Sequence, residues 1–230
     1  MKSNILAIIP ARIGSKGLPK KNIKLLAGKP LIVHTILAAK KSKFISKVIV
    51  STDDKKIASI AKKYGAEIPF LRPKELAKDT SPTLPVLKHT VRWLEKNQKY
   101  KTDIVVCLFP TYPLRGQKEI DAVISKLLKT NAGSVCTVCN AEHHPYWMSK
   151  MQGDKTFFFK NRKTKIPERQ NLPKLYVLAG GVVAIKKKEL MRQKLVFYAK
   201  DNRGVVIPSE KCTDIHTLKD LTIAEALMKK

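Results

Sequence analysis

Apolar residues come in short blocks along this chain, separated by polar stretches in which glycine and proline recur. The first block, residues 5–9, is continuous, rich in isoleucine and closed by Pro10. Such a run suits a strand buried on both faces. A Gly/Lys-rich loop follows, and the spacing at 31–39 predicts a helix. Residues 48–50 predict the next strand. Asp53 or Asp54 stands where a cap is needed for a helix running to Tyr64, with Gly65 at its stop. A short strand is expected at 68–71, then a polar loop over 72–85, punctuated by Pro73, Pro82 and Pro85. Helical spacing returns at 86–94. The strongest later strand is at 103–109, followed by a helix at 119–128 and a strand at 134–138. Repeated β-α-β units with near-continuous apolar strands predict an α/β fold: a single, mostly parallel, twisted sheet with helices on both faces.

Regularity breaks at 140. Residues 140–175 carry His143-His144, Tyr146-Trp147, three consecutive phenylalanines at 157–159 and many basic residues. They read as an excursion with short antiparallel strands near 156–160, too short to fold alone. Its aromatics need a partner surface, and a second subunit is the natural one. A strand at 175–185, interrupted by Gly180-Gly181, then a helix at 186–192, a last strand at 205–207 and a closing helix at 218–228 complete the pattern. The chain is one domain over 1–230, with 140–175 as an inserted dimerisation excursion.

A length of 230 residues agrees, since domains run to roughly 100–200 residues. With 43% hydrophobic and 28% charged residues, wholesale disorder, collagen and coiled coil are excluded. No apolar run reaches the ~18 residues that span a bilayer, and the run at 5–9 is too short for a signal core, so a cytoplasmic location is expected. The cysteines at 107, 136, 139 and 212 are too few for a disulfide scaffold. In a strand, the odd spacing of Cys136 and Cys139 sends them to opposite faces. The charge is the unusual quantity. A formal +28 favours nucleic acid, acidic membrane surfaces or phosphorylated substrates. Much of it, as at Lys40-Lys41, Lys55-Lys56 and Lys62-Lys63, reads as solvated lysine on helix faces. No nucleic-acid-binding module has its signature here.

The chemistry concentrates in the loop after the first strand, Pro10-Ala11-Arg12-Ile13-Gly14-Ser15-Lys16-Gly17-Leu18-Pro19-Lys20-Lys21-Asn22. It sits at the carboxyl end of a parallel strand, where open α/β sheets bind ligands. Gly14 and Gly17 permit backbone conformations that turn N–H groups toward an anion. Arg12, Lys16, Lys20 and Lys21 bring charge that neutralises a triphosphate. Neither the Walker pattern nor the dinucleotide fingerprint is present.

The string IPARIGSKGLPKKN resembles the signature of the N-acylneuraminate cytidylyltransferases, the CMP-sialic acid synthetase family. Further resemblances follow in order along nearly the whole chain: Arg72-Pro73 with Leu76-Ala77 and Asp79; Pro110-Thr111 with Pro113-Leu114-Arg115; Arg169-Gln170 with Pro173 and Tyr176; Asp214-Ile215 with Thr217, Asp220 and Ala224-Glu225. The resemblance implies an enzyme that joins CTP to a nine-carbon 2-keto sugar acid, releases pyrophosphate, requires Mg²⁺ and works as a homodimer whose excursion helps line the partner's sugar site. It implies that Arg12, Lys16 and Lys21 hold the triphosphate, with Gly14, Ser15 and Gly17 supplying amides, Asn22 touching the nucleotide and Lys20 in solvent. Arg72 matches the arginine that reads cytosine, with Ser81 or Thr83 adding a hydroxyl. Arg169 pairs with the acceptor carboxylate, and Gln170 and Tyr176 bond its hydroxyls.

Asp214 matches a metal-binding aspartate and stands equally where a base would accept the sugar hydroxyl proton. His216 occupies the position of a second aspartate. Histidine is a poor ligand for Mg²⁺ and a fairer one for Mn²⁺. Phe109, Tyr112 and Ala179 replace polar residues usual in the family, which leaves the acceptor open among sialic, pseudaminic, legionaminic and other keto sugar acids. The competing reading is a non-catalytic, basic nucleic-acid-binding protein of the same fold. Asp53 is expected as a helix cap rather than a catalyst.

Overall fold

The computed structural model describes residues 3–15, 17–159 and 168–229. Ten strands and six α-helices follow in order among them. Strands β1 (Ile5–Pro10), β4 (Lys47–Ser51), β5 (Ile104–Cys107), β6 (Ser134–Asn140), β9 (Tyr176–Lys186) and β10 (Asn202–Val206) form one sheet in the order β10-β6-β9-β5-β1-β4. β1 pairs in parallel with β4 and β5, and β10 with β6, whereas β9 runs antiparallel to both of its neighbours. The sheet is thus mostly parallel, with one reversed strand inside it. Two ribbons complete the strands: β2 (Leu25–Leu26) with β3 (Lys29–Pro30), and β7 (Ser149–Gln152) with β8 (Lys155–Phe158).

The apolar run of β1 is continuous because both of its faces are covered. Ala7 and Ile9 point to one side, where α1 (Leu31–Lys41), α2 (Lys55–Lys63) and α4 (Gln117–Thr130) pack through Ile32, Ile36, Ile57, Ile120 and Ile124. Leu6 and Ile8 point to the other, against α3 (Thr83–Gln98) and α5 (Lys187–Arg192) through Leu87, Val91, Leu94 and Leu190. The last helix, α6 (Leu218–Met228), joins a smaller cluster: Leu221 and Ala224 meet Leu18, Leu26, Leu31 and Ile215. That cluster ties the loop after β1 to the chain's C-terminal segment.

Three expectations are corrected. Residues 68–71 form no strand; a single bridge, Ile49 to Glu67, is all that pairs there, and Phe70 packs instead against His89 and Trp93. Asp54, not Asp53, caps α2, accepting from the Ile57 amide, a contact of the kind worth about 1 kcal/mol. The last strand begins earlier, at Asn202, and ends at Val206. The Gly180-Gly181 interruption is a bulge: Cys136 faces Val183 while Thr137 faces Ala179, and the Thr137 hydroxyl accepts from the Val182 amide at 3.2 Å. Cys136 and Cys139 fall into different clusters, on opposite faces.

Candidate active site

The carboxyl ends of β1, β4 and β5 meet at a cavity of about 440 Å³. It is lined by Arg12, Ser15, Gly17, Lys21 and Asn22 from the first loop, by Arg72, Asp79, Ser81 and Thr83 from the second, and by Phe109, Thr111 and His216. Sequence positions more than 200 apart therefore share one concavity, in the place an open α/β sheet reserves for ligand.

The loop after β1 is braced from several sides. The Asn22 side-chain amide donates to the Arg12 carbonyl at 2.8 Å, so its donor holds the loop rather than pointing freely at a ligand. Asp53 accepts from the Ile13 amide at 3.2 Å, which is its role in place of the cap. Leu18 is buried with α6. The glycines work differently from expectation. Neither Gly14 nor Gly17 has positive φ; among the described residues of the loop the left-handed one is Lys20, at φ 54° and exposed as expected. Gly17 is needed for close approach, because a Cβ there would lie 2.7 Å from the His216 carbonyl oxygen. Gly14 leaves ordinary room for one, its nearest neighbour being Arg12 Nη1 at 3.5 Å, and it does not line the cavity. Lys16 lies outside the described residues.

Three cations converge. Lys21 Nζ donates to the Ile215 carbonyl at 2.6 Å. Burial lowers its pKa from the ordinary 10.5, the Asp214 charge opposes that, and Arg12 reinforces it. Arg72 is 6% exposed, far from a surface charge. Its Nε donates to the Ser51 hydroxyl at 3.1 Å, Nη2 donates to the Ser51 carbonyl, and its own amide bonds Thr52 O at 2.7 Å. Burial brings its pKa down to about 10, with Asp53 opposing and Arg12 adding to the fall. Arg12 pairs with Asp79 across the cavity mouth. Cations that disfavour one another's charge hold an electrostatic deficit that a polyanion removes.

On the adjoining wall, His216 Nε2 lies 2.9 Å from Asp214 Oδ2. Asp214 Oδ1 is buried with no hydrogen-bond partner. The Tyr112 phenol stands beside this carboxylate; burial first, then the Asp214 charge and the phenol's approach to the carboxylate as a hydrogen-bond donor, raise its pKa. Its ring also covers Gly180, where a Cβ would come within 3.2 Å of it. Asp220 accepts from the His216 and Thr217 amides at 2.9 and 2.7 Å and so fixes this turn at the start of α6. Asp214 adjoins the cavity through His216 and Lys21 without lining it.

Gln170 and Tyr176, expected at the acceptor, do not line this cavity. Gln170 lines a separate one, of about 730 Å³, with His143, His144, Trp147 and Leu175 at the base of the excursion. Tyr176 is 48% exposed at the first position of β9. Arg169 opens a 3₁₀ turn, and its side chain lies outside the described residues.

Two residues matter more than the pattern of the sequence suggested. Asp79, named in the sequence only as part of a family resemblance and given no role, pairs with Arg12. Arg115 is 1% exposed; its Nη2 donates to Thr35 Oγ1 and Phe109 O at 3.1 and 3.2 Å, which anchors the turn after β5.

Comparison with known proteins agrees with this geometry. The cytidylyltransferase family profile matches residues 6–219. The CMP-N,N'-diacetyllegionaminic acid synthase of Legionella pneumophila is 36% identical over 229 residues, covering 98% of this chain and 96% of that protein. The pseudaminic acid cytidylyltransferase of Campylobacter jejuni serotype O:2 is 32% identical over 229 residues, covering 97% and 96%. Among solved structures, a CMP:2-keto-3-deoxy-manno-octonic acid synthetase complexed with CTP superposes with a TM-score of 0.69 at 17% identity, covering 99% of each chain, which is a likeness of fold. The match over nearly the full length, joined to a cationic cavity at the strand ends, shows that the chain belongs to the cytidylyltransferase family, in the N-acylneuraminate group that its first loop resembles.

Proposed function

We propose that this protein is a CTP-dependent nucleotidyltransferase that joins CMP to a nonulosonic 2-keto sugar acid and releases pyrophosphate. The observation that carries the reading is the convergence of Arg12, Lys21 and buried Arg72 on one cavity at the ends of β1, β4 and β5. In the reaction, the acceptor's anomeric hydroxyl oxygen attacks the α-phosphorus. The bond from α-phosphorus to the bridging oxygen breaks, and pyrophosphate leaves with that electron pair. Such a transfer needs positioning and charge neutralisation more than covalent chemistry. Arg12 and Lys21 meet the triphosphate, and the amides of the first loop supply further donors. Arg72, locked by Ser51, presents a cationic fork to the acceptor atoms of cytosine. Asp214 serves this reading either as the base that takes the hydroxyl proton or as a cation ligand, one role at a time, since His216 already engages one of its two oxygens.

A divalent cation fits one part of this wall. Asp214 Oδ1 is a buried anionic oxygen without a partner, which is a donor suited to Mg²⁺, with Mn²⁺ as a substitute. The His216 imidazole is engaged with the other oxygen, so it orients the carboxylate. When bound, the cation would neutralise charge developing on the phosphates.

The acceptor class rests on the relatives' names and on the Gln170 cavity. That cavity and Tyr176 belong to a face crowded with exposed apolar side chains: Trp147, Met151, Phe157, Phe158, Phe159 and Leu178 are each about half exposed or more. A second copy of the chain covering this face would bring Gln170 and Tyr176 toward a neighbouring cavity, and the protein is accordingly a homodimer in this reading.

The test is pyrophosphate release from CTP and Mg²⁺ with a panel of acids: sialic, legionaminic, pseudaminic and an eight-carbon keto acid. Release is expected with a nine-carbon acid. Failure of every acid, with either Mg²⁺ or Mn²⁺, rejects the activity, and salt-sensitive oligonucleotide binding in its place would favour the non-catalytic reading.

A further inference from the structure

Away from the cavity, on the face of the sheet that α3 and α5 cover, the chain leaves α5 in a loop at 193–198. Leu195 is 86% exposed and Val196 53%. A single exposed aliphatic needs no explanation, but two adjacent ones at a protruding loop do. Beside them, a groove of about 730 Å³ runs along the outer side of α3, walled by Arg92, Trp93, Lys96 and Lys194. The loop is held against that helix: Lys88 Nζ donates to the Met191 carbonyl at 3.0 Å and the Gln193 carbonyl at 2.6 Å. Nearby, Lys187 pairs with Glu95 and Arg192 with Glu189. Arg92, Lys96 and Lys194 have no carboxylate partner among the described residues, and Arg92 and Lys96 lie one turn apart on the same side of α3.

We propose that loop 193–196 and the outer side of α3 form a docking surface for an anionic lipid bilayer, with Leu195 and Val196 entering the headgroup boundary and Arg92, Lys96 and Lys194 meeting the headgroups. The two features support one another. Cations alone would suit any polyanion. The exposed tip is aliphatic: Leu195 and Val196 give nothing to a stacked base, and Trp93 in the groove is already packed against Phe70, whereas the acyl boundary takes aliphatic side chains out of water. An acidic leaflet draws in basic residues within a Debye length of its surface. The contact proposed is peripheral: two side chains reach the headgroup boundary, and among the described residues no helix is long and apolar enough to cross a membrane. The proposal does not depend on the acceptor, since neither Leu195 nor the three cations line the nucleotide cavity.

A chain of charge +28 will drift toward any anionic surface, so the test must separate this face from the rest. The full chain is sedimented with vesicles of phosphatidylcholine alone and of phosphatidylcholine with phosphatidylglycerol, at physiological salt. Three variants are compared: L195S/V196S, which keeps every charge; R92Q/K96Q/K194Q; and K55Q/K56Q/K62Q on α2, on the opposite face of the sheet. The expected result is binding to the anionic vesicles only, weakened about tenfold by each of the first two variants, and weakened about threefold or less by the third. CTP binding in L195S/V196S should match the parent and so report a folded chain. Absence of binding by the parent overturns the proposal. So does a loss in the α2 variant equal to that at α3, or full binding by L195S/V196S. Oligonucleotide binding without vesicle binding would assign the groove to nucleic acid instead.

Discussion

Gly17 and Gly14 sit three residues apart in the same loop, yet their backbones answer to different constraints. At Gly17 the space for a Cβ is taken by the backbone of His216, 2.7 Å away, and backbone yields less readily than a flexible side chain. At Gly14 the nearest atom is the mobile tip of Arg12, at a comfortable 3.5 Å. Gly17→Ala should therefore push the first loop off the 214–216 turn, displace Lys21 from Ile215, and lower kcat/KM for CTP by about tenfold or more. Gly14→Ala should stay within about threefold. Steady-state kinetics of the two variants, with melting curves as a control for folding, make the comparison. Equal losses, or a Gly17→Ala enzyme with parental kinetics, would show that the close approach has no bearing on turnover.

At the scale of elements, the ribbon of β7 and β8 has little to support it from within. All eight of its residues are exposed, and an isolated two-stranded hairpin is marginal in water. The phenylalanines at 157–159 lie on it or just beyond, half exposed, with Lys150 Nζ over the Phe159 ring at 5.4 Å. An element of this kind is stabilised by what covers it. Sedimentation equilibrium should report a dimer at micromolar concentration, and Phe157→Ser with Phe158→Ser should shift it toward monomer and reduce acceptor turnover while CTP binding persists. A monomeric parent chain with full activity would remove the second copy from the account.

At the scale of the whole molecule, the architecture was legible wherever burial on both faces wrote a continuous apolar run, as in β1 and β5. Strand direction was not: the run at 175–185 looks like any other buried strand, and nothing in it shows that β9 runs antiparallel between β5 and β6. Residues 68–71 have a strand's composition, but Pro69 withholds a donor and Phe70 finds aromatic neighbours on α3. The cavity was legible in its first loop because the charge is local in sequence, and Arg72 could be named through the family signature alone. Its partner Ser51, and the facing of Asp79 to Arg12, come from elements that meet only in the fold. Gln170 and Tyr176 were named by the family signature, but nothing in the sequence showed that Gln170 would line a cavity at the base of the excursion rather than the one at the strand ends.

The central claim is that the cavity bounded by Arg12, Lys21 and Arg72 holds the nucleotide. The most direct measurement is a crystal structure of the protein with CTP and Mg²⁺. The account predicts phosphate oxygens against Arg12, Lys21 and the amides of the first loop, with cytosine turned toward Arg72. A nucleotide bound elsewhere, with this cavity empty, would contradict it.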